Sequence, residues 1–160
     1  MARMYEQRRD TLLRQLFPGV DDIESLRRAP VPKKVPPGID LASNLREATG
    51  MGPFEFKAAV GNKGRWNYKQ IGEEYEDFGN WHYGFVARGL LWLPREGALR
   101  AAGWAQSRAG TSEEDWGVWW GSAPYGDDWS DQSWIEKGWD IWEYSPENPR
   151  LDHAESDILP

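Results

Sequence analysis

PREGALRAAGWAQSRAG, residues 94–110, is the stretch with the clearest helical signature in the chain. Proline at a first-turn position opens it, since proline lacks the N–H that the first turn leaves unpaired. Ala98, Ala102, Ala105 and Ala109 recur at helical spacing beside Leu99, which predicts a small-residue face suited to close packing. Gly110 is placed to end it. The following Thr111 and Glu114 have the spacing of a capping box for the next turn.

Working outward, residues 4–17 carry Tyr5, Leu12, Leu13, Leu16 and Phe17 as an apolar stripe, stopped by Pro18-Gly19. Asp40 is placed to cap a helix over 40–48, and 54–60 has room for another turn or two. Asp131 or Ser133 is expected to cap a last helix whose Trp134, Ile135, Gly138, Trp139 and Trp142 share a buried face. The stretch 73–93 is rich in glycine and aromatics and ambiguous in secondary structure, with a short hairpin as one reading. The fold class is therefore mainly α, with α+β as the variant carrying that hairpin, in one compact domain. The segment 28–38, with Pro30, Pro32, Pro36 and Pro37, reads as an extended linker. It divides the chain into a leader (1–38), a functional domain (39–144) and a polar tail (145–160).

Composition narrows the function. The 160 residues contain no cysteine, so disulfides, Cys nucleophiles and Cys zinc sites are excluded. His82 and His153 are the only histidines, too few for a His-rich metal site, and no cofactor is expected. No segment has the ~20 apolar residues of a membrane span, and the arginine-studded N-terminus lacks the apolar core of a signal peptide. Export would need a carrier chain or secretion apparatus. The net charge is −7, yet residues 1–40 hold eight Lys/Arg against six Asp/Glu, so the acidity lies in the body. Such a body disfavours broad phosphate-backbone binding, though not a small local basic cleft. All eleven tryptophans fall between Trp66 and Trp142.

Four clusters carry residues with chemistry. The first is Gly64 to Gln70, in which Lys69 sits among aromatics and is expected to be partly desolvated, which suits proton transfer. The second is Asp77-Phe78-Gly79-Asn80-Trp81-His82-Tyr83-Gly84, read either as a tight functional loop or as a structural turn. His82 is the one side chain of the body that titrates near neutrality unaided. The third is Ala102 to Gln106. The fourth runs from Pro124 through Tyr125, Asp127, Asp128 and Asp131 to Gln132 and Ile135. Close carboxylates raise one another's pKa and make an acid/base pair, although they also serve as cation ligands or as helix caps. Catalytic candidates are thus Asp77, Asp127, Asp128, Lys69 and His82. Substrate-binding candidates are Asn80, Tyr83, Gln106, Tyr125 and Gln132, with Trp119 and Trp120 beside the acidic loop offering indole faces to a sugar or base.

In this order the clusters resemble the polymorphic toxin type 44 family (bacterial toxin 44), over about residues 40–144. The matching stretches are Trp66-Asn67-Tyr68-Lys69, Asp77 to Gly84, Ala102 to Gln106, and Pro124 to Gly138. Two positions depart from the pattern: His82 stands where Asn is usual, and Asn67 where Asp is commoner. The resemblance implies an antibacterial effector domain, delivered into a rival cell by a secretion system or carrier protein and neutralised by a cognate immunity protein. It also implies a ribonuclease class. Three functions are therefore carried forward. One is a peptidoglycan glycan hydrolase using paired carboxylates in the periplasm, with Asp77 and Asp127 or Asp128 as acid and base. The next is a cytoplasm-acting ribonuclease using His82 and Lys69. The last is a non-catalytic carbohydrate-binding or interaction module.

Overall fold

The protein is mainly helical in a computed structural model that describes residues 2–144, and among these residues there is no strand. Seven α-helices follow in order: α1 Ala2–Leu16, α2 Ile23–Leu26, α3 Leu41–Thr49, α4 Pro53–Val60, α5 Glu76–Ala87, α6 Arg95–Ala109 and α7 Trp129–Trp139. Short 3₁₀ turns at Tyr68–Gln70, Glu73–Tyr75, Glu114–Trp116 and Ile141–Glu143 join them. The tail 145–160 lies outside the described residues.

The centre is the crossing of α5 and α7. A Cβ added to Gly84 would lie 2.0 Å from the Ile135 carbonyl, and one added to Gly138 would lie 1.8 Å from the Trp81 carbonyl. The two backbones therefore touch where neither helix carries a side chain. Phe78, Trp81 and Phe85 of α5, fully or almost fully buried, form a stacked aromatic row beside that seam. The glycines of 73–93 are thus part of a helix and its packing, and the hairpin variant does not occur. The second cluster, expected as a loop, is helical throughout.

The proline-rich segment is not a slack linker. Ala29, Val31 and Val35 are buried in the same core as Leu12, Leu13, Leu16 and Trp81. Arg9 of α1 donates to the carbonyls of Val31, Arg27 and Ala29 at 3.0, 3.1 and 2.9 Å, and Trp81 Nε1 donates to the Pro30 carbonyl at 3.0 Å. The segment's missing N–H groups suit it to this role, because its carbonyls find side-chain donors where no ladder is possible.

Asp40 caps α3, its side chain accepting from Ser43 N at 3.0 Å, and Gly110 ends α6 in the left-handed conformation. Other boundaries differ from expectation. Pro94 is the residue before α6 and not within its first turn. The buried face of α6 is Ala98, Leu99 and Gly103, whereas Ala105 and Ala109 are exposed. Gly103 is required there: its Cβ would sit 1.7 Å from the Tyr125 carbonyl, so the 117–128 loop lies directly on α6. Thr111 bonds backward to Gln106, and Glu114 opens only a 3₁₀ turn, so no capping box forms. Asp128, not Asp131 or Ser133, caps α7, accepting from Ser130 N at 2.7 Å and Asp131 N at 3.4 Å. Of the expected core tryptophans, Trp134 and Trp139 are half-buried and Trp142 is exposed. The fully packed indoles are Trp66 and Trp81.

Candidate active site

The N-terminal ends of α5 and α7 lie on one side of their crossing, and carboxylates gather there. Asp127, 2% exposed, is the most buried of these carboxylates. Its Oδ1 accepts from Asp128 N at 2.9 Å and its Oδ2 from Gln132 Nε2 at 2.8 Å, with Gln106 bonding the same group. Gln132 also donates to the Leu99 carbonyl at 3.1 Å, so it ties α7 to α6. Burial raises the Asp127 pKa, and these hydrogen bonds oppose the rise.

Asp131 is different. It sits half-buried in the first turn of α7, and its carboxyl has no hydrogen-bond partner among the described residues. Desolvation, followed by the like charges of Asp127, Glu76 and Asp128, pushes its pKa up to about 7, and Lys69 pulls the other way. A carboxyl in that state holds its proton close to neutrality and gives it up readily, as a general acid must.

Glu76, the first residue of α5, faces this group. Lys69 Nζ stands 3.4 Å from Glu76 Oε1, and Asn80, one turn on, donates to the Glu76 carbonyl at 3.3 Å. The Tyr83 hydroxyl donates to the Ala98 carbonyl at 2.7 Å, and burial with the Asp127 charge raises its pKa well above the usual phenol value. Tyr125 lies beneath the Arg100 guanidinium, 4.5 Å from its ring centre. Trp119 and Trp120 are exposed and packed edge to face, on the loop whose Gly126 precedes Asp127. A Cβ at Gly126 would be 3.4 Å from Trp119 N.

The structure therefore brings Lys69, Asn80, Tyr83, Gln106, Asp127, Asp128 and Gln132 into one region. Three expected roles change. His82 is 0% exposed and caged by Trp66, Tyr68, Phe78 and Phe85. Asn44 Nδ2 lies 3.0 Å from its Nε2, Nδ1 has no partner among the described residues, and desolvation lowers its pKa to about 3. A neutral imidazole sealed from solvent reaches no substrate. Asp77 is exposed on α5, and it is Glu76, not Asp77, whose charge acts on Asp131. Lys69, expected to be partly desolvated, is exposed and ion-paired. Glu76 was missed from sequence. Asp131 stands in the acidic cluster, where the sequence leaves a helix cap and a working carboxylate both open. The helical spacing of Glu76 and Asn80 was the available signal for the first, and the adjacent Asp128 as a competing cap for the second.

Among the described residues no three His, Cys, Asp or Glu side chains are arranged to hold a metal ion, and no helix is long and apolar enough to cross a membrane. No family model matches the chain, and no curated protein or solved structure matches it either. The likeness to the toxin family thus stands on the four motifs alone.

Proposed function

We propose that this protein is an antibacterial effector that hydrolyses the glycan of cell-wall peptidoglycan, with Asp131 as the general acid. The observation that carries the reading is the half-buried Asp131 carboxyl, without a hydrogen-bond partner among the described residues and with its pKa near 7, among neighbouring carboxylates. Glycoside hydrolysis asks for this pairing: one carboxyl protonated to release the leaving oxygen, another ionised to activate water or attack the sugar. The exposed indoles of Trp119 and Trp120 offer apolar faces for sugar rings beside the acidic region. Delivery into the periplasm of a rival cell, by a carrier or secretion apparatus, and protection of the producer by an immunity protein follow from the family resemblance.

The ribonuclease alternative loses its imidazole, because His82 is sealed in the core. A non-catalytic carbohydrate-binding module would use the same indoles, but leaves the raised Asp131 pKa without a role.

The test is incubation of the full chain with purified sacculi and with RNA. New reducing ends from sacculi, lost in Asp131→Asn, are expected. Intact sacculi alongside cleaved RNA would overturn the glycan reading. In cells, growth arrest is expected only when the protein carries a periplasmic export signal.

A further inference from the structure

Two kinds of tryptophan occur in this fold. Trp66, Trp104 and Trp134 each carry a cation from their own chain. Arg65 lies 4.9 Å from the Trp66 ring centre, Lys57 4.8 Å from that of Trp104 and Lys137 4.5 Å from that of Trp134. Such contacts follow from the electron-rich face of the indole. Trp119, Trp120 and Trp129 have no cation over them among the described residues, and Trp120 and Trp129 are 65% and 60% exposed. Trp119 and Trp120 pack on each other edge to face, and Val118 beside them is exposed as well.

Local sequence explains the difference: residues 109–136 contain no Lys or Arg, against seven Asp and Glu. Of these acids, Glu113, Glu114 and Asp115 are exposed and make no ion pair among the described residues. They adjoin the indoles because the loop is folded onto Gly126. Ser112 Oγ donates to the Gly126 carbonyl at 2.6 Å, Gly126 N donates to the Trp116 carbonyl at 2.8 Å, and a Cβ at Gly126 would lie 3.4 Å from Trp119 N. Arg100 reaches the loop from α6, but its guanidinium is engaged elsewhere. It donates to the Trp119 and Gly121 carbonyls at 2.9 and 2.8 Å and pairs with Glu96. That clamp fixes the loop, so a partner meets indoles already held on an ordered backbone.

We propose that the 113–129 surface docks a basic polypeptide other than this chain, whose Lys and Arg side chains seat on Trp119, Trp120 and Trp129 and pair with Glu113, Glu114 and Asp115. Several large apolar side chains exposed together mark an interaction surface, and the uncompensated charge beside them sets the sign of the partner. The contacts that Arg65, Lys57 and Lys137 make within this chain show the geometry of each seat. The perpendicular planes of Trp119 and Trp120, 84° apart, present their faces in different directions, which suits separate side chains of one partner. The proposal goes beyond glycan hydrolysis and does not rest on it, because docking is read on the indoles themselves.

The experiment titrates the full chain with an alternating arginine–alanine octapeptide and follows the indole N–H signals by NMR, those of Trp119 and Trp120 being identified with W119F and W120F. Saturable shifts of these two signals are expected, with affinity falling about tenfold as NaCl rises from about 50 to about 500 mM. A glutamate–alanine octapeptide should move neither. W120A is expected to weaken binding about threefold or more with its helical circular dichroism unchanged. The triple variant E113Q/E114Q/D115N should weaken it about tenfold and decides the matter if W120A does not fold. The variant D21N/E55Q/E73Q removes as much charge from exposed positions outside the loop and should change affinity less than about twofold. Equal losses in the two triple variants would reduce the effect to net charge and overturn the proposal. So would indole signals that the arginine peptide leaves in place, or that move only with a glucosamine hexamer. Salt-sensitive dimerisation of the chain alone in sedimentation, lost in W120A, would give the surface to a second copy and overturn it as well. Sacculi left intact by wild type would remove the glycan reading and leave each of these outcomes as it stands.

Discussion

The crossing of α5 and α7 and the N-terminal ends of the same two helices are opposite kinds of place. At the crossing, backbone meets backbone: Gly84 and Gly138 leave no space for even a methyl group. At the ends, Glu76 and Asp131 present carboxyl groups in partly solvated surroundings, and Asp131 lacks a hydrogen-bond partner among the described residues. Glu76 precedes Gly84 by eight residues and Asp131 precedes Gly138 by seven. Both carboxylates therefore stand about 10–12 Å along their helices from the same contact. Beyond it, Arg88 donates to the Trp139 carbonyl at 2.7 Å. A contact with no freedom to slide thus sets the separation of groups whose own bonds do not.

The comparison breaks most visibly at the crossing. Gly138→Leu is expected to cost about 4 kcal/mol or more through backbone separation, enough to abolish cooperative thermal unfolding by circular dichroism. A melt like that of wild type would show that the seam is not close-packed. At the ends, Asp131→Asn should instead leave the fold intact and lower sacculus hydrolysis by roughly 10²–10³-fold, while Asp77→Asn costs less than about 3-fold. Equal losses in the two variants would return the acid role to the residue favoured by sequence.

Two titrations sharpen the contrast. His82 has a folded pKa near 3, against about 6.5 for an unfolded histidine. Its contribution is present above pH 6.5 and is lost as pH falls toward 3, because the unfolded chain takes the proton first. Across that window several kcal/mol, on the order of 3–5, should disappear from the unfolding free energy, and His82→Gln should flatten the decline in urea titrations at stepped pH. Asp131 has the opposite sign. Its folded pKa near 7 lies above the unfolded value of about 3.9, so its contribution is present below pH 3.9 and is lost as pH rises through 7. With solvent screening of a partly exposed group, Asp131→Asn should gain about 1–2 kcal/mol at pH 8.5 relative to its effect at pH 3.5. A pH-independent effect would mean that Asp131 ionises normally.

Local signals were legible where a helix is closed by its own chemistry. The α3 cap at Asp40 and the left-handed Gly110 after α6 are written in single residues and their spacing. What decided α5 is not local. Gly79, Gly84 and Gly89 resemble loop residues until α7 is laid across Gly84, and that contact joins residues more than fifty positions apart. The site divided in the same way. Asp127 and Asp128 stood out as adjacent carboxylates, but only one acid can cap α7. Asp128 took that place, and the Asp131 carboxyl makes no cap bond. The seclusion of His82 depends on α3, α5 and the 66–68 segment closing around it, which no periodicity announces.

The proline-rich segment also has a mechanical consequence. A slack tether of eleven residues would pay out roughly 35 Å before passing tension to the domain behind it. Here no such slack exists, because Val31 and Val35 lie in the core, Pro30 accepts from Trp81, and Arg9 clasps three carbonyls. A pull on the N-terminal helix would load the central aromatic row at once. Tension applied at α1 therefore reaches the core without any chain first being drawn out.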